Sequence, residues 1–365
     1  MKITAGGALR CRLIAEAGVN HNGDPDLAAK LIDVAVEAGA DCVKFQTFNS
    51  AALVTAAAPK AAYQTRNTGT TEPQRDMLRR LELSRDVFSD LSAQCARRGI
   101  DFLSTPFDLE SADFLINGLG LTEVKIGSGD LTNAPLLLWI ARQGVQLILS
   151  TGMATLADIE EALSVVAFGF SGETGMPSAQ RRLDALRHAQ TGGLLAQKVT
   201  LLQCTSDYPA PASSLNLRAM DSLASAFGVK VGLSDHSEGI DLALAAVARG
   251  AQVLEKHFTL DRTLPGPDHR ASLEPADLKA MVAGVRRVEA ALGSGLKYPQ
   301  EAEIATRLDA RKSVVAAKPI RRGEAFSESN LTVKRPGGGL PPIRMFDLIG
   351  RPAARDFVED EPIDE

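Results

Sequence analysis

Apolar runs alternate with amphipathic stretches along most of the chain, and this alternation constrains the fold more than any other feature. The runs typical of strands are 11–17, 41–47, 101–107, 123–129, 146–152, 199–207, 229–237 and 252–260. Helix-like stretches lie between them, and several begin with Asp, Ser, Thr or Asn and end on Gly. Such alternation predicts parallel strands joined by helical crossovers. Eight units in roughly 280 residues predict an α/β fold, the (β/α)8 or TIM barrel. An open doubly wound sheet is the alternative, but it usually has fewer strands, and no GxGxxG follows the first strand.

Three segments fall outside the alternation. Residues 168–197 are rich in Gly, Ser and Pro and predict an insertion with a short helix between the fifth helix and the sixth strand. We therefore assign the barrel to 1–292, a linker to 293–309 and a small domain of short strands and turns to 310–365. This last segment is too short for a large core of its own, so we expect it to dock on another surface.

Composition narrows the functional class. The net charge of −5 and pI of about 5.7 argue against nucleic acid as the main partner. Four well-separated cysteines without a CxxC spacing predict buried, reduced thiols in a cytoplasmic protein. Arg10 and Arg12 interrupt the amino-terminal apolar stretch, and no apolar run reaches the roughly 18 residues of a membrane span, so we expect neither a signal peptide nor a membrane partner.

Polar residues gather near the carboxyl end of each predicted strand, where barrel enzymes place their chemistry. The first strand runs into IAEAGVNHNGD, residues 14–24, and similar groups follow the other strands. These residues are Glu16, Asn20, His21, Lys44, Gln46, Ser104, Thr105, Lys125, Ser128, Asp130, Ser150, Thr205, Ser206, Asp207, Tyr208, Ser234, Asp235, His236, Glu255 and His257. The convergence of eight such ends predicts an active site at that mouth of the barrel.

Lys44 and Lys125 are unusual because they lie inside apolar runs. A buried lysine is costly unless it is paired. A permanent internal carboxylate is one explanation, and an anionic ligand such as a phosphate with a second anionic group is the other. Since both lysines belong to one barrel mouth, we expect the anionic ligand, with Ser128, Ser150 and Ser234 supplying hydroxyl or backbone N–H groups.

His236 and His257 are the two histidines at strand ends beside acidic residues. Neighbouring strands would bring the imidazoles within reach of one metal ion. Two neutral imidazoles with waters or a carboxylate suit Mn²⁺, Zn²⁺ or Co²⁺. We predict a divalent metal at this pair. We expect His188 to lie on the surface, and we assign no role to His21 and His269.

Several motifs together resemble the N-acetylneuraminate (sialic acid) synthase family. They are IAEAGVNHNGD, VKFQTF, FLSTPFD, KIGSGDLTN, ILSTGM, GLSDHS, EKHFTLDR and PGPDHRASLEP, in the family's order. The carboxyl-terminal RKSVVAAKPIRRGEAFSESNLTVKRPGGG resembles the family's antifreeze-like (SAF) domain. The resemblance covers nearly the whole chain.

The resemblance implies a barrel followed by an antifreeze-like domain, in a domain-swapped homodimer. It implies condensation of phosphoenolpyruvate with an N-acylated mannosamine-type aldose, which gives a nine-carbon α-keto acid sugar and phosphate. It also implies a divalent metal, commonly Mn²⁺, with Mg²⁺ or Co²⁺ as alternatives.

Site residues carried over by motif fall into four groups. His236 and His257 correspond to metal ligands, and Glu16 to the carboxylate beside the metal, where it would orient water or move a proton. The phosphoenolpyruvate site corresponds to Lys44, Thr105, Lys125, Ser128, Ser150, Ser206 and Ser234. Sugar contacts correspond to Gln46, Asn67, Asp130, Tyr208 and Asp268, together with Arg335, which a partner protomer would insert over the N-acyl group.

The sugar stays open at this stage. Asp130 and Ser206 differ from the Glu and Asn of one well-known branch, which affects sugar identity more than the reaction. N-acetylmannosamine, giving N-acetylneuraminate, is our first expectation. A 2,4-diacetamido-2,4,6-trideoxymannose, giving N,N'-diacetyllegionaminate, is the alternative, and the pseudaminate-type isomer is less favoured by PGPDHRAS and SDYPAP. A phosphorylated sugar would require an additional basic cluster, and we find none in the sequence. Intact lysine and histidine pairs argue against a non-catalytic sugar sensor, and the absence of a flat Thr array argues against ice binding.

Overall fold

The computed structural model describes residues 10–364. The chain divides into two compact units, Met1–Ser294 and Gly295–Glu365. Within residues 10–364, no helix combines the length and apolarity that a membrane crossing requires. All four cysteines are buried and free, as their spacing predicts.

Eight parallel strands form the centre of the first unit. They are β1 (Arg12–Gly18), β2 (Cys42–Thr47), β3 (Asp101–Pro106), β4 (Glu123–Ile126), β5 (Gln146–Ser150), β6 (Val199–Cys204), β7 (Lys230–Asp235) and β8 (Val253–His257). Their hydrogen-bonded order is β3-β2-β1-β8-β7-β6-β5-β4. The two end strands, β3 and β4, also lie side by side, so the sheet closes on itself. The predicted (β/α)8 architecture is confirmed.

Helices follow the strands around the outside. Those of the first unit are α1 (Pro25–Ala38), α2 (Ser50–Leu53), α3 (Ala62–Thr68), α4 (Gln74–Arg79), α5 (Arg85–Arg98), α6 (Leu109–Asp113), α7 (Ala134–Arg142), α8 (Leu156–Phe170), α9 (Ala179–Thr191), α10 (Leu194–Lys198), α11 (Ala219–Phe227), α12 (Asp241–Ala248) and α13 (Pro275–Leu292). Asp24 caps α1 by accepting from two backbone N–H groups, and Thr155 forms a reciprocal capping box with Asp158 in α8. Local capping thus starts helices where the sequence predicts them.

The barrel interior is filled by a small apolar layer. Six strands contribute one buried residue each to this layer: Ile14, Cys42, Leu103, Ile148, Leu202 and Val253. Side chains two positions further on share the same face of each strand. Those positions are Glu16, Lys44, Thr105, Ser150, Cys204 and Glu255. The apolar layer therefore forms the floor on which the polar residues of the barrel mouth stand.

Three parts of the first unit differ from the elements that the sequence predicts. β4 ends at Ile126 because Ser128–Asp130 forms a 3-10 turn. The connection between β2 and α5 contains α2, α3 and α4, which no apolar period predicts. In the segment 168–197, the first residues complete α8, with Phe168 in the core, and α9 and most of α10 follow.

The second unit is small and built of short elements. It contains α14 (Ile304–Ala310), β9 (Ser313–Ala316), β10 (Leu331–Lys334) and α15 (Met345–Leu348), and β9 pairs antiparallel with β10. Its buried core comprises Val314, Ala316, Ile320, Phe326, Leu331, Leu348, Ala353, Phe357 and Ile363. This unit therefore has its own compact core, although a modest one.

Candidate active site

A cavity of about 430 Å³ lies at the carboxyl ends of the barrel strands. It brings together most of the residues that the sequence singled out. Those lining it are Glu16, Lys44, Gln46, Thr105, Lys125, Ser128, Ser150, Ser206, Tyr208, Ser234, His236, Glu255, His257 and Asp268. They come from the barrel strands and from the loops that follow β4, β6, β7 and β8, which is why no single stretch of sequence contains the site.

Four buried charges occupy the floor of this cavity. The Lys44 Nζ lies 2.7 Å from Glu16 Oε2 and 3.6 Å from Glu255 Oε2. The Lys125 Nζ lies 3.5 Å from Glu255 Oε1. Both lysines therefore have internal carboxylate partners, which corrects the expectation that they wait unpaired for an anion. Because the carboxylate nearest to the Lys125 ammonium is 3.5 Å away, which is long for a hydrogen bond, an anion that enters the cavity can still approach this cation.

The two carboxyl groups differ in their affinity for a proton. Burial, with help from Glu255, raises the pKa of Glu16 despite the nearby Lys44. Burial acts in the same direction on Glu255, but Lys125, Lys44 and a hydrogen bond from Ser234 (2.8 Å) outweigh it, and its pKa is lowered. Burial holds the pKa of Lys125 below its usual value, whereas the two carboxylates overcome burial and raise that of Lys44. Glu16 is thus the acid of this cluster that is poised to gain or lose a proton near neutrality.

His236 and His257 face each other with ring centroids 5.4 Å apart. The Nδ1 of His236 donates to the Thr205 carbonyl oxygen at 2.8 Å, and its Nε2 points to the Ser234 hydroxyl oxygen at 3.4 Å. The Nδ1 of His257 is buried without a hydrogen-bond partner among the described residues. Burial and the neighbouring His236 hold the pKa of His257 well below its usual range, so this imidazole is neutral.

Burial lowers the pKa of His236, but Cys204 outweighs burial and raises it, so His236 holds a proton more readily than His257 does, and a metal would displace that proton. Imidazole nitrogens are ligands that a borderline divalent metal takes. Across residues 10–364, no three His, Cys, Asp or Glu side chains are grouped as a metal site. The residues present therefore fit a metal held by His236 and His257 whose remaining ligands come from water or substrate.

Hydroxyl groups line the side of the cavity formed by β4, β5 and β6. The Oγ of Ser150 is buried without a hydrogen-bond partner in the described part of the chain, and Ser128 Oγ accepts from the Gly152 N–H at 3.0 Å. A Cβ on Gly152 would lie 2.4 Å from Ser206 Oγ and 2.8 Å from Ser128 Oγ, so a larger residue would displace these two hydroxyl groups. This hydroxyl-lined pocket beside Lys125 suits a phosphate group.

Three predicted contacts lie elsewhere. Asn67 donates to the Pro267 carbonyl at 2.6 Å and lines a smaller neighbouring cavity of about 300 Å³. Asp130 does not line the main cavity, and its carboxylate accepts from the Asn133 side chain at 2.9 Å. Arg335 follows β10 in the second unit. Their roles as sugar contacts remain predictions.

The polar residues of the NHN motif tie two loops together. Asn20 Nδ2 donates to the Phe258 carbonyl at 2.8 Å and to Ser272 Oγ at 2.9 Å. The Nε2 of His269 lies 3.0 Å from the amide oxygen Oδ1 of Asn22. None of Asn20, His21, Asn22 and His269 lines the main cavity. Asn20, Asn22 and His269 instead hold the loop that carries Asp268 against the end of β1, while His21 Nδ1 accepts from the Gly23 N–H at 3.0 Å.

Two groups of lining residues were given no role from the sequence. Glu255 was placed at the barrel mouth, since it stands two residues before His257 and shares its face, but it was not assigned to a substrate or to the metal. The other group is an apolar wall, defined here as Val19, Leu53, Val54, Met77, Leu78, Leu81 and Phe107, which pack against one another at one side of the cavity. Most of it comes from the connection between β2 and α5, which has no strand-end signal.

These features define a (β/α)8 barrel protein whose cavity at the carboxyl ends of the strands contains two lysines, two carboxylates and a pair of histidines. The sequence profile of the NeuB family matches residues 31–297, and that of the SAF domain matches residues 311–365. The chain belongs to the NeuB family, whose members are nonulosonic acid synthases.

Individual relatives agree with this assignment. The chain is 46% identical to the N,N'-diacetyllegionaminic acid synthase of Campylobacter jejuni, over 97% of this chain and 98% of that one. It is 35% identical to the N-acetylneuraminate-9-phosphate synthase of Homo sapiens, over 99% and 93%. Its structure resembles that of an N-acetylneuraminic acid (sialic acid) synthetase from Leptospira borgpetersenii, with a TM-score of 0.66, 32% identity and coverage of 84% and 94%.

Proposed function

We propose that this protein condenses phosphoenolpyruvate with 2,4-diacetamido-2,4,6-trideoxymannose to give N,N'-diacetyllegionaminate and phosphate. The observation that carries the choice of sugar is the 46% identity to a diacetyllegionaminic acid synthase, against 35% to an N-acetylneuraminate-9-phosphate synthase. The motifs alone favour N-acetylmannosamine, and this identity supports the alternative instead.

Phosphoenolpyruvate binding is supported by the floor of the cavity. Lys125 and Lys44 face the phosphate and carboxylate, and Ser128, Ser150 and Ser206 supply hydroxyl groups around the phosphate. Among the described lining residues no arginine or further lysine is present, so a second phosphate, as on a phosphorylated sugar, has no cation to meet.

In the reaction, C3 of phosphoenolpyruvate bonds to C1 of the open-chain sugar, water adds at C2, and the bond between C2 and the phosphate oxygen breaks. The lysines and serines hold the first substrate so that the two carbons meet, which is a positioning effect. Glu16, with its raised pKa and its place beside Lys44, accepts the proton that water releases and returns one to the new hydroxyl oxygen.

We propose that His236 and His257 hold a divalent metal, with Mn²⁺ as the first choice. When bound, the metal would supply Lewis-acid polarisation of the aldehyde oxygen. We also propose the domain-swapped homodimer and the role of Arg335 over the N-acyl group, on the family resemblance.

Turnover tests the proposal. Purified protein with phosphoenolpyruvate and Mn²⁺ would be given each candidate sugar separately, and phosphate release followed. We expect kcat/KM to be highest with the diacetamido sugar. The condensation would be refuted if no sugar raised the rate of phosphate release above the rate measured without sugar. A preference for N-acetylmannosamine would refute the sugar assignment alone.

A further inference from the structure

We infer that the apolar wall contacts the end of the sugar remote from C1, and that it selects a sugar with a 4-acetamido group and a 6-deoxy carbon over one with hydroxyl groups there. This inference rests on the proposed function and adds to it the residues that determine specificity. It assigns that role to the connection between β2 and α5, which contributes Leu53, Val54, Met77, Leu78 and Leu81.

The direction in which the sugar lies follows from the chemistry. Its C1 must meet phosphoenolpyruvate, and the anion-binding lysines lie at the floor, Lys44 being 2% and Lys125 3% exposed. The rest of an open-chain sugar therefore extends away from the floor. The groups it meets there belong to the loops beyond the strand ends, and the β2–α5 connection is one of the sides of the cavity at that level.

The chemistry of the wall favours apolar groups. Its seven side chains contain no oxygen or nitrogen atom, and they pack together as one cluster. A hydroxyl group placed against this surface loses its water without gaining a partner. A methyl group at C6, or the methyl of an acetamido group at C4, instead removes apolar surface from water on both sides.

One polar group is set beside the wall. The Gln64 Oε1 accepts from Gln74 Nε2 and from the Ala61 backbone N–H, each at 3.0 Å. With its oxygen occupied twice, buried Gln64 can donate only through its two amide N–H groups, one of which serves the Tyr63 hydroxyl, and the other is left to donate. An acetamido carbonyl is an acceptor that suits such a donor, and its methyl then lies toward the apolar side chains.

The test compares sugar selectivity in near-isosteric variants. Met77 is 3% exposed, and Met77→Gln keeps its length while adding an amide to the wall. Met77→Leu is the matched apolar control. Val54→Thr is a second polar variant at a half-buried position, where a hydroxyl disturbs folding little. For each protein, kcat/KM is measured with 2,4-diacetamido-2,4,6-trideoxymannose and with N-acetylmannosamine at saturating phosphoenolpyruvate.

We expect the wild-type protein to prefer the diacetamido sugar. Met77→Gln should lower the ratio of the two kcat/KM values by roughly 10–100-fold, within the range by which hydrophobic pockets discriminate. Val54→Thr should lower it by roughly 3–10-fold. Met77→Leu should keep the wild-type ratio. In the variants whose ratio falls, the KM for phosphoenolpyruvate should not change with it.

The outcomes separate the two levels of the proposal. A wild-type preference for N-acetylmannosamine would overturn the proposed sugar and the role of the wall together. A wild-type preference for the diacetamido sugar, with an unchanged ratio in Met77→Gln and Val54→Thr, would overturn the role of the wall and leave the proposed function standing. If Met77→Gln does not fold, Val54→Thr decides by the same criterion.

Discussion

Glu16 and Lys44 lie opposite each other on β1 and β2, with the carboxylate oxygen 2.7 Å from the ammonium nitrogen. Both side chains are buried at the cavity floor. The pair combines an acid of raised pKa with the cation that we assign to the first substrate. In the mechanism that we propose, proton transfer and anion binding are therefore adjacent.

Glu16→Gln should lower kcat by roughly 100-fold or more, the range of a general acid–base group, because the amide keeps the shape but cannot move a proton. Phosphate release measures the rate, and titration calorimetry with Mn²⁺ and phosphoenolpyruvate checks that ligands still bind. Full turnover with both ligands bound would contradict the role that we give Glu16.

Glu255→Gln should destabilise the ligand-free protein by about 3 kcal/mol, since breaking a buried ion pair leaves a charge uncompensated. Among the described residues, Glu255 is the carboxylate within 4 Å of Lys125. Urea denaturation measures the change. The control is Glu161→Gln, whose partner is Arg182 at 3.4 Å and whose side chain is 71% exposed; it should change stability by less than about 1 kcal/mol. Equal effects of the two variants would contradict this account.

Asp268 should make stability fall as the pH rises from about 4 to 6. Burial raises its pKa from 3.8 to about 6, with His236 opposing. The folded protein therefore keeps the proton in this window while the unfolded chain releases it, so the free energy of unfolding decreases with pH. In metal-free protein, Asp268→Asn should remove on the order of 2–3 kcal/mol of this dependence. Parallel pH profiles for wild type and variant would refute the assignment.

Chelation of divalent ions should abolish phosphate release, and added Mn²⁺ should restore it. His257→Ala should weaken Mn²⁺ binding by more than the roughly 10–100-fold that loss of an outer-shell partner costs, because it removes one of two protein ligands. Mn²⁺ titration followed by calorimetry measures the affinity. His188→Ala, on the exposed surface of α9, is the matched control and should bind like wild type. Wild-type affinity in His257→Ala would place the metal elsewhere.

Arg335→Ala should raise the KM for the sugar by roughly 10-fold or more, in line with loss of a charge-assisted hydrogen bond, while leaving that for phosphoenolpyruvate unchanged. The prediction follows from the family resemblance, in which a partner protomer places this residue over the N-acyl group. Steady-state kinetics in each substrate separates the two KM values. A fully active chain ending near residue 293 would refute both the role of Arg335 and the need for the second unit.

Much of the fold and part of the site were predictable because both depend on short-range periodicity. Apolar runs of strand length between capped amphipathic helices predict parallel strands, and strand-end polar residues such as Lys44 and His257 follow from a period of two. The same period was sufficient to place Glu255 beside His257. By contrast, the connection between β2 and α5, with its short helices α2–α4, has no long apolar period, so the wall to which it contributes most residues could not be predicted from the sequence.

The sequence by itself determined the barrel, the set of strands whose ends converge, and most of the residues at that mouth, because these depend on the order of residues along each strand. Only the tertiary structure decided which charges meet. Lys44, Glu16, Glu255 and Lys125 come from four strands, and their distances depend on how the closed sheet sets one strand's register against the next. It also decided that Asn22 and His269 hold loops together, because they are far apart in sequence and meet only where the last strand closes against the first.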